Sequence, residues 1–128
     1  MEGQGQTAIF ELFTDSVEFL RDEEFLIKLC RDYIELIGMH YGGFTFSGQF
    51  PNIFHQNVAG GITIMMILLE SHICLHSWIE IGKLHLEISS CKDFGVKMIE
   101  KKLRAMFHPY RFYTQICPWQ LKIEQKGE

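Results

Sequence analysis

Residues 70–80, read as Glu70-Ser71-His72-Ile73-Cys74-Leu75-His76-Ser77-Trp78-Ile79-Glu80, constrain the fold more than any other stretch of the chain. A strand starting at Ser71 turns successive side chains to opposite faces. His72, Cys74, His76 and Trp78 then share one face, while Ile73 and Leu75 share the other. Immediately upstream, Ile62 to Leu69 is apolar throughout except for Thr63, which predicts a central strand covered on both sides. The two strands together call for a sheet with one plain face and one chemically rich face.

The rest of the chain supplies partners for that sheet. Thr7 to Phe13 reads as a first strand, with Ala8, Phe10 and Leu12 alternating against Ile9, Glu11 and Phe13. Asp15 and Glu18 have the spacing of a capping box, and Leu26, Leu29, Cys30, Tyr33 and Ile37 recur at helical spacing ahead of Gly38, so a helix is expected over roughly 16–38. Gly42-Gly43 leads into a strand over 44–50 that Pro51 ends, and residues 51–60 read as a loop approaching the site. Residues 72–78 and 83–89 form a hairpin about Gly82, with Leu84, Leu86 and Ile88 on one face and His85, Glu87 and Ser89 on the other. Asp93 is the expected cap of a second helix with the stripe Val96, Ile99, Leu103 and Met106, stopped by His108-Pro109. Residues 112–116 with 120–123 supply a last strand interrupted at Pro118. The order β-α-β-β-β-α-β gives an α+β two-layer sandwich of one domain, 1–128, with both helices on one sheet face.

Composition narrows the function. A net charge of -4 argues against a nucleic-acid platform, and the lysines around Arg104 (Lys97, Lys101, Lys102) fit the solvated face of one helix. The start, Met1 to Gln6, has no charged and apolar regions of a secretion signal, and the longest apolar run falls far short of the ~20 residues of a membrane span. A cytoplasmic location with no membrane partner is expected. Cys30, Cys74, Cys91 and Cys117 have no paired spacing and should be free thiols there. A metal site on His72, Cys74 and His76 is not expected, because alternate residues i to i+4 span roughly 13 Å along a strand, too far for one ion.

Taken singly, Ser71 reads as a polar strand residue, His76 as a half-buried histidine, Cys91 as a small hydrophobe and Trp78 as core. Their joint spacing resembles the self-cleavage segment of the short, prokaryotic, pyruvoyl-dependent S-adenosylmethionine decarboxylases, which runs Glu-Ser-His, three residues, His-Thr-Trp-Pro-Glu. Glu70, Ser71, His72, His76, Trp78 and Glu80 match, Ser77 and Ile79 depart, and Cys91 stands where the family has a cysteine twenty residues after its serine.

The resemblance implies that Ser71 Oγ attacks the Glu70 carbonyl to give an ester, that loss of the Ser71 α-proton releases the Glu70 carboxylate, and that the residue left behind hydrolyses to a covalent pyruvoyl cofactor. The chain would then consist of a β fragment, 1–70, and an α fragment, 71–128. The ketone would form a Schiff base with the substrate amine and draw off electrons as carbon dioxide leaves. By the same resemblance, His76 assists processing, with Glu70, Ser71 and Thr63, and Cys91 reprotonates the decarboxylated carbon. Glu80 would bind ribose hydroxyls and Trp78 would support adenine. Upstream, His55, Gly61 and Thr63 fit the family's His-x-Phe-x-Pro-x-Gly-x-Ser, but Asn57 replaces its stacking aromatic and Ala59 its proline, leaving Phe54 as a nearby substitute. The implied activity is S-adenosylmethionine decarboxylation for polyamine (spermidine) synthesis. Because Asn57 weakens the case for adenine, arginine or ornithine is the alternative substrate, and an unprocessed relative acting by binding is the alternative of another class. The resemblance further implies a homodimer, a four-layer α-β-β-α assembly with active sites near the interface.

Overall fold

The computed structural model describes residues 5–53 and 60–119. Its elements are β1 (Gln6–Phe13), α1 (Val17–Leu20), α2 (Glu23–Leu36), β2 (Tyr41–Phe50), β3 (Gly61–Leu68), β4 (Ser71–Trp78), β5 (Lys83–Ser90), α3 (Val96–Phe107) and β6 (Arg111–Pro118). All six strands join one antiparallel sheet in the order β2-β3-β4-β5-β1-β6. The α+β architecture is the expected one. Between the helical segments lie four strands rather than three, because each of the runs at 44–50, 62–69, 72–78 and 83–89 forms its own strand.

The helix expected over 16–38 is split at Arg21 and Asp22. Asp15 does not cap it; α1 begins behind Ser16 with no side-chain cap. Asp22 caps α2 instead, its carboxylate accepting the Phe25 N–H at 3.1 Å, with Glu23 and Glu24 adding favourable charge to the first turn. Gly38 ends the segment at φ +74°, a backbone region that suits glycine. Helix α3 starts behind Gly95 rather than Asp93, again without a side-chain cap. Its buried stripe is Val96, Ile99, Leu103 and Phe107. Met106, expected in that stripe, is exposed, because the stripe steps four residues on from Leu103 to Phe107, and Met106 lies about 100° around the helix from it.

The core lies between the helices and one sheet face. Ala8, Phe10 and Leu12 of β1, Ile62, Ile64 and Met66 of β3, Ile73 and Leu75 of β4, and Leu84, Leu86 and Ile88 of β5 meet Leu26, Leu29, Cys30 and Tyr33 of α2 and the α3 stripe. Strand β3 is therefore covered on one side only within the chain: Met65 and Ile67 are 48% and 45% exposed on the far face. Phe46 pairs across from Met65 on that same face, and Phe44 and Phe50 alternate with it; all three are exposed. The expectations at Phe54, Asn57, His55 and 120–123 lie outside the described residues.

Leu86 has no exposed surface at the sheet centre. In urea unfolding, Leu86→Ala should cost roughly 2–5 kcal/mol, whereas Asp22→Ala, losing only the α2 cap, should cost about 1 kcal/mol.

Candidate active site

Strand β4 carries the two halves of the site at its two ends. At the far end, register lines up one cross-strand row on the face away from the helices: Thr63 of β3 opposite His76, His76 opposite His85 of β5, and His85 opposite Glu11 of β1. Thr63 Oγ1 lies 3.1 Å from His76 Nδ1, Cys74 Sγ 3.3 Å from His76 Nε2, and the His76 and His85 ring centroids are 5.8 Å apart. His85 Nδ1 is 3.5 Å from Glu11, which also pairs with Lys83 at 2.8 Å. Burial, then the neighbouring His85, depress the His76 pKa, with Glu87 acting in the opposite direction. Burial, reinforced by Glu87, raises that of Cys74 and keeps it a thiol.

The near end is the junction of Glu70 and Ser71. The Cys91 N–H donates to the Glu70 carbonyl at 3.0 Å, so the carbonyl that a Ser71 hydroxyl would attack already has a donor on its oxygen. The Glu70 carboxylate accepts the His40 N–H at 2.9 Å and lies 2.6 Å from His40 Nδ1, with Lys92 Nζ 3.9 Å away. Desolvation works against ionisation of Glu70, but the hydrogen bonds from the His40 ring and amide outweigh it and hold the carboxyl below the usual range. Ser71 Oγ lies 3.3 Å from His72 Nδ1, and His72 Nε2 lies 3.6 Å from Glu87. The Cys91 residue is exposed rather than a buried hydrophobe, just past the end of β5. His40 and Lys92 gave no signal in sequence, and His85 and Glu87 only their place on the polar face of their strand. They are brought in by β2, β5 and the turn after β5, so only pairing register could reveal them.

Beside His76, a cleft of about 260 Å³ is lined by Phe50, Asn52, Gly60, Gly61, Thr63, Trp78 and Glu80, among others. Asn52 donates to Glu80 at 3.1 Å and thus fixes a carboxylate that sequence alone singled out. A Cβ on Gly61 would stand 1.6 Å from the Ser77 carbonyl oxygen, which accounts for glycine where β3 enters alongside β4. Ser77 is buried, bridging Leu20 O and the Ile62 N–H, and Ile79 donates its N–H to Gly60 O at 3.1 Å, a bond that proline could not make. The structure therefore brings Thr63, His76, Trp78 and Glu80 together at one end and Glu70, Ser71 and Cys91 at the other. Ser71 and His76 are five residues apart, roughly 16 Å along a strand, and alternate to opposite faces. A larger cleft of about 560 Å³ opens between α2 and α3, remote from both ends. Among the described residues no group of three or more metal-ligating side chains converges, and no helix is long and apolar enough to cross a membrane.

A single antiparallel sheet backed by helices on one face, with the Glu70-Ser71 junction at one end of β4 and His76, Trp78 and Glu80 towards the other, defines a two-layer α+β domain. A family profile described as S-adenosylmethionine decarboxylase matches residues 6–117. The chain belongs to the S-adenosylmethionine decarboxylase family. An S-adenosylmethionine decarboxylase proenzyme of Archaeoglobus fulgidus is 26% identical over 113 residues, 86% of this chain and 94% of that protein. One from Synechococcus is 28% identical over 119 residues, covering 89% of this chain and 87% of its own length. The crystal structure of the adenosylmethionine decarboxylase from Aquifex aeolicus superposes over 100% of both chains with a TM-score of 0.75 at 18% identity, a likeness of fold.

The charges around His76 make opposite predictions for two variants. His85→Gln removes the neighbouring ring that disfavours the His76 imidazolium, so His76 should titrate at higher pH than in the unaltered chain. Glu87→Gln removes an anion that favours it, so His76 should titrate at lower pH. Nitrogen NMR of the His76 ring across the histidine range checks both; shifts of the same sign would contradict this electrostatic account.

Proposed function

We propose that the chain cleaves itself between Glu70 and Ser71 into fragments 1–70 and 71–128 and works as a pyruvoyl-dependent decarboxylase of S-adenosylmethionine, serving polyamine synthesis. The observation that carries this reading is the Cys91 N–H on the Glu70 carbonyl, directly beside the Ser71 hydroxyl. That arrangement suits an acyl shift from nitrogen to oxygen, and Cys91, whose amide makes the contact, carries a free thiol in an exposed residue. A pyruvoyl group made from Ser71 supplies a ketone that condenses with the substrate amine and takes up the electron pair left by departing carbon dioxide. Cys91 then returns a proton to the substrate carbon, and Glu80, held by Asn52, accepts hydrogen bonds from the substrate beside Trp78.

His76, neutral near pH 7 because burial and His85 depress its pKa, is the base that removes the Ser71 α-proton. Within one chain it stands roughly 16 Å from Ser71, so the reading requires a homodimer in which the Ser71 end of one protomer faces the His76 end of the other. Exposed Phe44, Phe46, Phe50, Met65 and Ile67 give that face an apolar patch of the kind soluble monomers seldom leave uncovered. Ser71→Ala and His76→Ala should each stay uncut alone. Co-expressed, they should form mixed dimers in which only the His76→Ala chain is cut, read by intact mass, while sedimentation gives twice the chain mass. A wild-type chain that stays intact on long incubation would move the assignment to a non-catalytic binding relative.

Arginine or ornithine is the second substrate reading, favoured by Asn57 standing where the family pattern has its stacking aromatic, with Glu80 then serving the distal cation. Borohydride reduction with each amine should add that substrate's mass to fragment 71–128 alone. Addition only with S-adenosylmethionine removes the amino-acid reading, and addition only with arginine or ornithine removes the leading one.

A further inference from the structure

We propose that Ser71, His72 and Glu87 form a proton relay that drives the first step of self-cleavage within a single chain, so that His72 is a catalytic residue separate from His76. The inference rests on the self-cleavage reading and deepens it. The distances that suggest it run in series: Ser71 Oγ to His72 Nδ1 is 3.3 Å, and His72 Nε2 to Glu87 is 3.6 Å. A carboxylate at Nε2 favours the tautomer with its proton there, which leaves Nδ1 as the acceptor facing the serine hydroxyl. Such contacts are commonly long before reaction and tighten as charge develops. Glu87 reaches His72 diagonally, since in register it stands opposite Cys74 while Ser89 stands opposite His72.

The four parts an acyl shift needs therefore sit together at one end of β4. Ser71 is the nucleophile, His72 the base, Glu87 the group that orients the base, and the Cys91 N–H the donor on the oxygen that becomes negative. The proton of Ser71 Oγ passes to His72 Nδ1 as Oγ bonds to the Glu70 carbonyl carbon. When the tetrahedral centre collapses, the bond to the Ser71 nitrogen breaks and His72 returns the proton to that nitrogen. One amide and one hydroxyl have become one ester and one amine, with no redox change and no co-reactant. His40 holds the Glu70 carboxylate, with Lys92 nearby, while the Cys91 N–H holds its carbonyl. His76 cannot serve this step in its own chain, because it faces the opposite side of β4, five residues on. Two histidines thus divide two proton transfers: His72 handles the hydroxyl proton, and His76 the α-proton of the ester.

The division separates the variants. Freshly translated full-length His76→Ala should accumulate the ester, which hydroxylamine splits into 1–70 with a C-terminal hydroxamate and 71–128 with an N-terminal serine. Adding His72→Ala to it should slow ester formation by about 10²-fold or more, the usual contribution of a positioned base. Free imidazole, small enough to fill the space the lost ring leaves beside Ser71, should restore much of that rate. Lost folding would not be repaired by imidazole. Glu87→Gln, which keeps the shape of the side chain, should give a smaller loss in the same assay. Ester forming at an unchanged rate in the His72→Ala, His76→Ala chain would overturn the relay while leaving self-cleavage in place. A wild-type chain that never forms ester or fragments would overturn both.

Discussion

Everything in the molecule depends on the register of β4 between β3 and β5. Because its side chains alternate, pairing Ile73 with Ile88 and Leu75 with Leu86 buries both pairs beneath the helices. The same pairing leaves His72, Cys74, His76 and Trp78 on the other face. A slip of one residue would send the histidines into the core and the isoleucine to water. Stability and site placement are therefore set by one constraint, and the fully buried Ile64, Leu75 and Leu86 enforce it more strongly than any polar contact on the outer face.

The sheet also explains why the two ends of β4 differ chemically. At the His76 end, Thr63, His85 and Glu11 arrive from three other strands in one continuous row, and burial with His85 disfavours the protonated ring while Glu87 favours it. At the Glu70 end the contacts come from segments that flank strands: His40 just before β2, Cys91 and Lys92 just after β5. The Glu70 carbonyl continues the β4–β5 pairing one step beyond Ser71 and Ser90, while its carboxylate is held by His40 with Lys92 nearby.

Departures from the family pattern are accommodated locally. Ser77 keeps a hydroxyl and uses it to tie α1 to β3, so the smaller side chain still satisfies two backbone groups. Ile79 brings an N–H where the family has proline, and that N–H meets Gly60. Both changes are compatible with the same backbone path. Phe50, which sequence analysis placed only at the end of a strand, lines the cleft with Trp78.

The sequence by itself determined most of the strands, the side on which each residue of β4 lies and the hairpin about Gly82, because a two-residue repeat is a local property. Helix starts were less legible: Asp15 and Asp93 have the right chemistry for caps, but the chain caps at Asp22 and Gly95, where packing of α2 and α3 on the sheet sets the first turn. Only the tertiary structure decided that β3 is bare on one face, that the Glu70 carbonyl meets the Cys91 amide, and that His72 has Glu87 beside it while His76 has His85. Each of those contacts joins residues that are distant in sequence or belong to different strands, and a cross-strand neighbour is fixed by register, which side-chain alternation along a single strand does not specify.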